Sequence, residues 1–436
     1  MFRTLITVLT LTVSAAVAFG NCPLSLKGDD AASVGIYIAP INASEPPVVS
    51  YQADRLMTPA SVMKSVTVAA ALSAKGGDFQ WETRLLAVGQ IEEGILHGNI
   101  IVEGSGDPTL GSAQFREEQP DFLRLAAEAA SRHGICSVTG KTLAASAWSD
   151  QGPIPSWELE DIPGIDGAGF YRLNWNDNVF SLMVPSMTAT PSIPDLEVKW
   201  QKSTQGLNAW RNAGSNLVTV TGQLGRKQMR SSLKLSMPDP SAVLLSALDT
   251  TFHCCGESLI ARGDTIVLLT YLSPALRDVC RSLMVRSDNQ MAEATLRLLA
   301  PGKSRAEAIT AERNRLSEIT SLKYARIADG SGLSRHNAIS PRQLGEILRS
   351  MATNSDYVGS FARVGLDGTV RSFMKDRAGR ENFILKSGSM TGVVCYCGYR
   401  LDPQTKAPTH VIAVMVNNAP DPADVRTQIA ALLSTL

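Results

Sequence analysis

The sequence has no run of basic residues, and 41 Lys plus Arg stand against 41 Asp plus Glu, a net charge of zero. A nucleic-acid partner, which needs a basic patch or stripe, is therefore not expected. It also lacks any CxxC pair. The seven cysteines stand at 22, 136, 254, 255, 280, 395 and 397, so neither a zinc nor a thiol-redox site is expected, and nothing calls for a metal or another cofactor. Their odd number leaves at least one thiol unpaired within the chain, and the spacing does not say which cysteines pair. Histidine is scarce, five in all, and no histidine falls in an H-E-x-x-H or triad pattern. His336, in the loop DGSGLSRHN, reads as structural. There is no internal repeat and no low-complexity tract. Beyond the N-terminus no apolar run approaches the ~20 residues of a spanning helix, so no transmembrane anchor is expected.

The N-terminus itself reads MFRTLITVLTLTVSAAVAFGNCP. One arginine, a short apolar core and small residues near Gly20 make residues 1–20 a secretory signal peptide. An exported protein of the periplasm or cell envelope is expected, where disulfides are permitted. The 436 residues are 44% hydrophobic, enough for sizeable cores in two or three domains.

SVGIYIA and PPVVSYQA alternate like the arms of a hairpin, and an apolar helix runs from Pro59 to Ala74. Near the C-terminus ENFILKSGSM, VVCYCGYRL and THVIAVMVNN read as successive strands, and PADVRTQIAALLSTL as a closing helix. One sheet built from both ends of the chain is expected, flanked by helices: an α/β domain in two parts, residues 21–84 and 262–436. Between them, LLAVGQIEEGILHGNIIVEG, NVFSLMVPS, LEVKWQ, NLVTVTGQL and SSLKLSM mark a strand-rich insertion over residues 85–261.

An S-x-x-K pattern occurs three times, at Ser61/Lys64, Ser231/Lys234 and Ser372/Lys375. The second lies in an alternating strand, which sends positions three apart to opposite faces. The third lies in a charged segment with no apolar helix behind it. Only Ser61 and Lys64 open an apolar helix, with Thr58 as its expected N-cap and Pro59 at its first position. Residues three apart on a helix share a face, so Lys64 reaches the Ser61 hydroxyl. Ser61 falls in the first turn, whose N–H groups lack intrahelical partners and sit at the positive end of the helix dipole. A serine becomes a nucleophile when a base takes its proton, and lysine serves once its pKa is depressed.

Two further motifs complete the set. Ser287-Asp288-Asn289 is the only S-x-N in the chain and falls at a polar break between helical stretches. Its hydroxyl suits proton transfer to a leaving amine, its carboxamide the holding of a substrate carbonyl. Lys386-Ser387-Gly388-Ser389 contains the only K-[ST]-G and lies on a late strand. Lys386 is expected to act as a second cation that depresses Lys64 and attracts an anionic substrate end. Gly388 is expected to let an acyl group lie along the strand, and the Ser389 N–H to be the second oxyanion donor.

The order S-x-x-K, S-x-N, K-[ST]-G is the signature of penicillin-binding proteins and class A β-lactamases. PASVMK, GSGDPTL, LNWNDNVFSLMV, SDNQMAEATLRLL, ADGSGLSRHNAISP, GLDGTVRS and KSGSMTGVVCYCGYR resemble the low-molecular-mass class C penicillin-binding proteins, peptidase family S13. The resemblance runs from Ala60 to about Arg400. It implies a transpeptidase/β-lactamase-like domain carrying the insertion, and a D-alanyl-D-alanine carboxypeptidase and possible endopeptidase. In that reading stem peptides of peptidoglycan ending in D-Ala-D-Ala acylate Ser61, and Lys64 takes its proton. Ser287 and Asn289 line the cleft, Lys386 and Ser387 receive the terminal carboxylate, and β-lactams are trapped at Ser61. The chain departs from many relatives in having KSG for KTG. A β-lactamase and a non-catalytic wall- or β-lactam-binding module remain as alternatives, against which stand the absence of E-x-x-L-N and the intact motifs.

Overall fold

Strand Ser33–Pro40 pairs antiparallel with Pro408–Asn417, from Ser33 opposite Asn417 to Pro40 opposite His410, so the two ends of the chain close one sheet. The structure, a computed structural model, describes residues 22–27, 31–145, 148–223, 231–257 and 263–436; the expected signal peptide lies outside them. The six antiparallel strands run in the order Ala362–Arg363, Phe383–Met390, Val393–Leu401, Pro408–Asn417, Ser33–Pro40, Val49–Tyr51.

Alternation along these strands sends side chains to two covered faces. Cys395, Cys397, Ala413 and Met415 share a core with Val62, Met63 and Val66 of the Ser61 region and Leu344 of helix Pro341–Ser350. Val394, Tyr396, Ile412 and Val414 pack instead with Val425, Ile429 and Leu433 of the closing helix, Pro422–Leu433. Helix Met63–Lys75 is buried continuously from Met63 to Leu72, which explains why its sequence is apolar all round.

That helix does not begin as the sequence suggests. Ala60–Val62 form a 3-10 turn before it, with Pro59 in the cap position and no side-chain cap. Thr58 is not the N-cap because its backbone is already engaged. Its N–H donates to Asn417 Oδ1 at 2.8 Å and its carbonyl accepts from Asn417 Nδ2 at 3.0 Å. The last residue of the last strand thus anchors the approach to Ser61.

The insertion forms its own sheets and a separate core that includes Leu85, Ile100, Phe122, Leu244 and Tyr271. Its five-stranded sheet pairs Glu82–Glu92 with Thr265–Leu272, so strand pairing runs past both ends of the 85–261 range. The two crossings lie side by side: Trp81 N–H donates to Ser273 Oγ at 2.9 Å, and Ser273 N–H to the Trp81 carbonyl at 3.0 Å.

Candidate active site

Ser61 and Lys64 sit on successive turns of the same segment, and Lys64 Nζ lies 3.0 Å from Ser61 Oγ. Two other oxygens complete its shell: Asn289 Oδ1 at 2.6 Å and the Ser331 carbonyl at 2.7 Å. The Asn289 amide orientation is fixed, because its Nδ2 donates to the Asp166 carbonyl at 2.9 Å. These partners have a consequence. Two of the three are carbonyl oxygens, which only accept, and a neutral amine has two N–H bonds to give them. Its lone pair is then left for the third neighbour, the Ser61 hydroxyl.

Electrostatics supply that neutral amine. Lys64 is fully buried, and burial lowers its pKa to about 8 against the opposing pull of Asp329, Asp288, Glu293 and Asp166. Lys386 is 1% exposed and held well below the usual lysine range, first by burial and then by the charge of Lys64. Burial is the first cause for both lysines, and each would disfavour the charged form of the other. The four acids near Lys64 keep it the more basic of the two.

The other motifs converge as the sequence suggests. Helix Leu276–Arg286 ends at Ser287, whose φ of 66° lies in the left-handed region. Asp288 then caps helix Asn289–Arg297 by accepting from Met291 N–H at 2.9 Å. This tight double junction is what lets Ser287 and Asn289 face one cleft. Lys386 Nζ donates to Ser287 Oγ at 3.0 Å and to the Ser387 carbonyl at 2.7 Å. Lys386 thus stands behind Ser287 rather than in the cleft, whose wall includes Ser387, Gly388 and Ser389 but not the lysine. Of the pair expected to meet the substrate carboxylate, Ser387 lines the cleft, while the Lys386 amine is enclosed and partnered by Ser287 and Ser387.

Packing gives Gly388 a reason of its own, beside room for an acyl group. A Cβ there would lie 2.6 Å from the Pro59 carbonyl and 3.2 Å from Ser61 N, so the strand runs directly against the turn carrying Ser61. Cys395 and Cys397, opposite Gly388 and Lys386, serve the same close approach with small side chains. Cys395 Sγ lies 3.6 Å from the Thr58 carbonyl and Cys397 Sγ 3.4 Å from Ser65 Oγ. Val364 N–H donates to the Phe383 carbonyl on the outer edge of this strand. By alternation the Ser387 and Ser389 backbone groups face that same edge, beyond the end of the short strand Ala362–Arg363.

A fourth element carries no motif lettering. The loop from Asp329 to Ser334 is wound round two buried carboxylates. Glu293 Oε1 accepts from Gly330 N–H at 3.0 Å and Ser331 N–H at 2.9 Å. Asp329 accepts from Gly332 N–H, Ser334 N–H, Asn337 Nδ2 and Trp157 Nε1 at 2.6–2.9 Å. Gly332, at φ +79°, packs where a Cβ would run into the Ala60 carbonyl. The result aims the Ser331 carbonyl at Lys64. The stretch ADGSGLSRHNAISP was visible as a glycine-rich loop, but a carbonyl ligand leaves no trace in residue identity. His336 is exposed outside the cleft.

Glu293→Gln keeps an acceptor for both N–H groups and removes a charge that holds Lys64 up. The acid limb of the acylation pH profile should move to lower pH with little change in its plateau. A stopped-flow profile with a chromogenic β-lactam checks this, and an unmoved limb would rule the influence out.

The cleft encloses about 520 Å³ between Ser61, Ser287, Asn289 and the motif strand on one side and Glu158, Asp161 and Asp166 of the insertion on the other. A serine hydroxyl aimed at the lone pair of a buried amine, on an antiparallel sheet flanked by helices, defines a serine acyl-transfer hydrolase. The family model described as D-Ala-D-Ala carboxypeptidase 3 (S13) matches residues 25–436, and the chain belongs to that family. It is 26% identical over 412 residues to D-alanyl-D-alanine carboxypeptidase DacB of Haemophilus influenzae, covering 86% of this chain and 84% of that one. It is 24% identical to the D-alanyl-D-alanine carboxypeptidase of Actinomadura sp. strain R39, covering 87% of this chain and 77% of that one. The crystal structure of penicillin-binding protein 4 from Haemophilus influenzae shares the fold, with a TM-score of 0.79, 24% identity and 95% and 97% of the two chains covered. No helix among the described residues is long and apolar enough to cross a membrane.

Proposed function

We propose that Ser61 is the nucleophile of a serine DD-peptidase acting on peptidoglycan stem peptides that end in D-Ala-D-Ala. The observation that carries this is the shell of Lys64: two carbonyl acceptors and one hydroxyl, around an amine that burial brings to a pKa of about 8. Lys64 takes the Ser61 proton as Oγ attacks the carbonyl of the penultimate D-alanine. The N–H groups of Ser61 and Ser389 hold the oxyanion. The C–N bond then breaks as Ser287, held by Lys386, gives its hydroxyl proton to the departing D-alanine amine and regains the one Lys64 took from Ser61, which leaves Lys64 neutral again. Water hydrolyses the Ser61 ester and restores the hydroxyl.

β-Lactams follow the first half of this course and stop at the ester. The Haemophilus influenzae protein has been solved in complex with a β-lactam, which supports extending the reading to these inhibitors. The N-terminal sequence supports export to the periplasm or cell envelope, where the substrate lies. The insertion expected over residues 85–261 is read as a domain that supplies one wall of the cleft, a reading supported by the pairing of its flanking strands.

Peptide mass spectrometry after penicillin treatment tests the assignment: one adduct on Ser61 is expected, with D-alanine release from a pentapeptide mimic. An adduct on another serine would overturn it. Release of the antibiotic within seconds would favour a β-lactamase.

A further inference from the structure

We propose that Arg426 anchors the free carboxylate of the leaving residue, beside the scissile bond of the peptide being cleaved. This rests on Ser61 being the acylated residue. A substrate ending in D-Ala-D-Ala carries its carboxylate one residue beyond the scissile carbonyl, about 4 Å further along the chain. The anchor must therefore stand within about one residue of Ser61, on the leaving-group side.

Lys386 does not fill that place, being enclosed and bonded to Ser287 Oγ and the Ser387 carbonyl. The exposed groups in reach are the hydroxyls of Ser387 and Ser389, which alternate onto one face of the motif strand. Ser387 Oγ donates to Thr369 Oγ1 at 2.7 Å, and Ser389 Oγ accepts from Arg426 Nη2 at 3.3 Å. Arg426 lies on the helix that covers this face, is exposed, and lines the cleft with both serines. Its hydrogen bond to the motif strand is long, it also reaches the Tyr396 hydroxyl, and it has no ion pair among the described residues. A guanidinium beside two hydroxyls matches the two oxygens of a carboxylate.

The surroundings favour an anion there. Arg426, Thr369 and Tyr396 are shared with an adjoining depression of about 420 Å³, where Lys375 and Arg377 outnumber Asp376. The other arginines of the cleft are placed differently. Arg335 is paired with Glu158 at 2.6 Å and donates to the Thr391 carbonyl at 3.2 Å. Arg286 extends toward a separate groove beside Gln114 and Gln119.

The test compares an acylated tripeptide ending in D-Ala-D-Ala with the same peptide amidated at its C-terminus, using the full chain. Arg426→Gln should lower kcat/KM for the free acid about ten- to a hundredfold, mainly through KM. The amide should stay within a few-fold, and Arg426→Lys should restore part of the loss. Equal losses on both peptides, an unchanged ratio, or a ratio moved by Arg286→Gln instead would overturn the assignment. Penicillin adducts are measured on the same samples. Missing Ser61 acylation in the unaltered protein would overturn the nucleophile and this inference together, whereas Ser61 acylation with an unmoved ratio would overturn only Arg426.

Discussion

Ser61→Ala is expected to give a folded protein that takes up no β-lactam and releases no D-alanine. The side chain removed is one hydroxyl at the cleft wall, and the core beneath it is untouched. Lys64→Ala is the companion change, with an expected fall in acylation rate of at least ~10²–10³, the scale of a lost general base. The pH profile gives a sharper check. In the unaltered protein the rate should rise as the pH climbs through about 8, because only the neutral form of Lys64 takes a proton. In Lys64→Ala that limb should disappear from the residual activity. Labelling of either variant at the unaltered rate by a fluorescent penicillin would refute the roles given to both residues.

The second large effect is expected far from any reacting atom. Asp329 is wholly buried and accepts four hydrogen bonds, two on each oxygen. Asp329→Asn is nearly isosteric, yet whichever way the amide turns, its NH2 confronts two donors. Each buried donor left unmet costs about 1–3 kcal/mol, so a loss of about 2–6 kcal/mol is expected. A melting temperature lower by roughly 5–20 °C follows from the usual relation between stability and Tm for domains of a few hundred residues. Acylation on the high-pH plateau, where Lys64 is neutral with or without the Asp329 charge, should fall as well, since the loop that presents the Ser331 carbonyl to Lys64 loosens. Thermal melting and penicillin labelling at matched temperatures test this pair of effects. A variant melting within a degree or two of the unaltered protein would show that the carboxylate does not hold the loop.

The legible parts of this molecule were those in which side chains follow a period or a spacing. The strands ENFILKSGSM, VVCYCGYRL and THVIAVMVNN declared themselves by alternation and β-branched content, and their pairing with SVGIYIA followed from their positions near the two ends. Ser61 with Lys64, Ser287 with Asn289, and Lys386 to Ser389 were legible because their chemistry depends on side chains at fixed separations. What stayed hidden depends on backbone and on distant neighbours. The Ser331 carbonyl would look the same from any residue. The need for glycine at 388 comes from Pro59, more than three hundred positions away in the chain. The 3-10 turn replaces a capped helix because Asn417 has taken the backbone of Thr58. The balance between the two lysines is set by their shared burial and by four acids, two of them, Asp166 and Asp329, from loops with no motif lettering.

The pairing of Ser33–Pro40 with Pro408–Asn417 bears on when during its manufacture this polypeptide becomes able to act. Synthesis proceeds from the amino end, so the opening strand waits on one side for a partner that emerges more than three hundred residues later. Until Asn417 arrives, the backbone of Thr58 lacks the amide that holds the bend ahead of Ser61. A half-made chain therefore carries its nucleophile without the means to aim it, and reactivity toward the wall awaits the finished product.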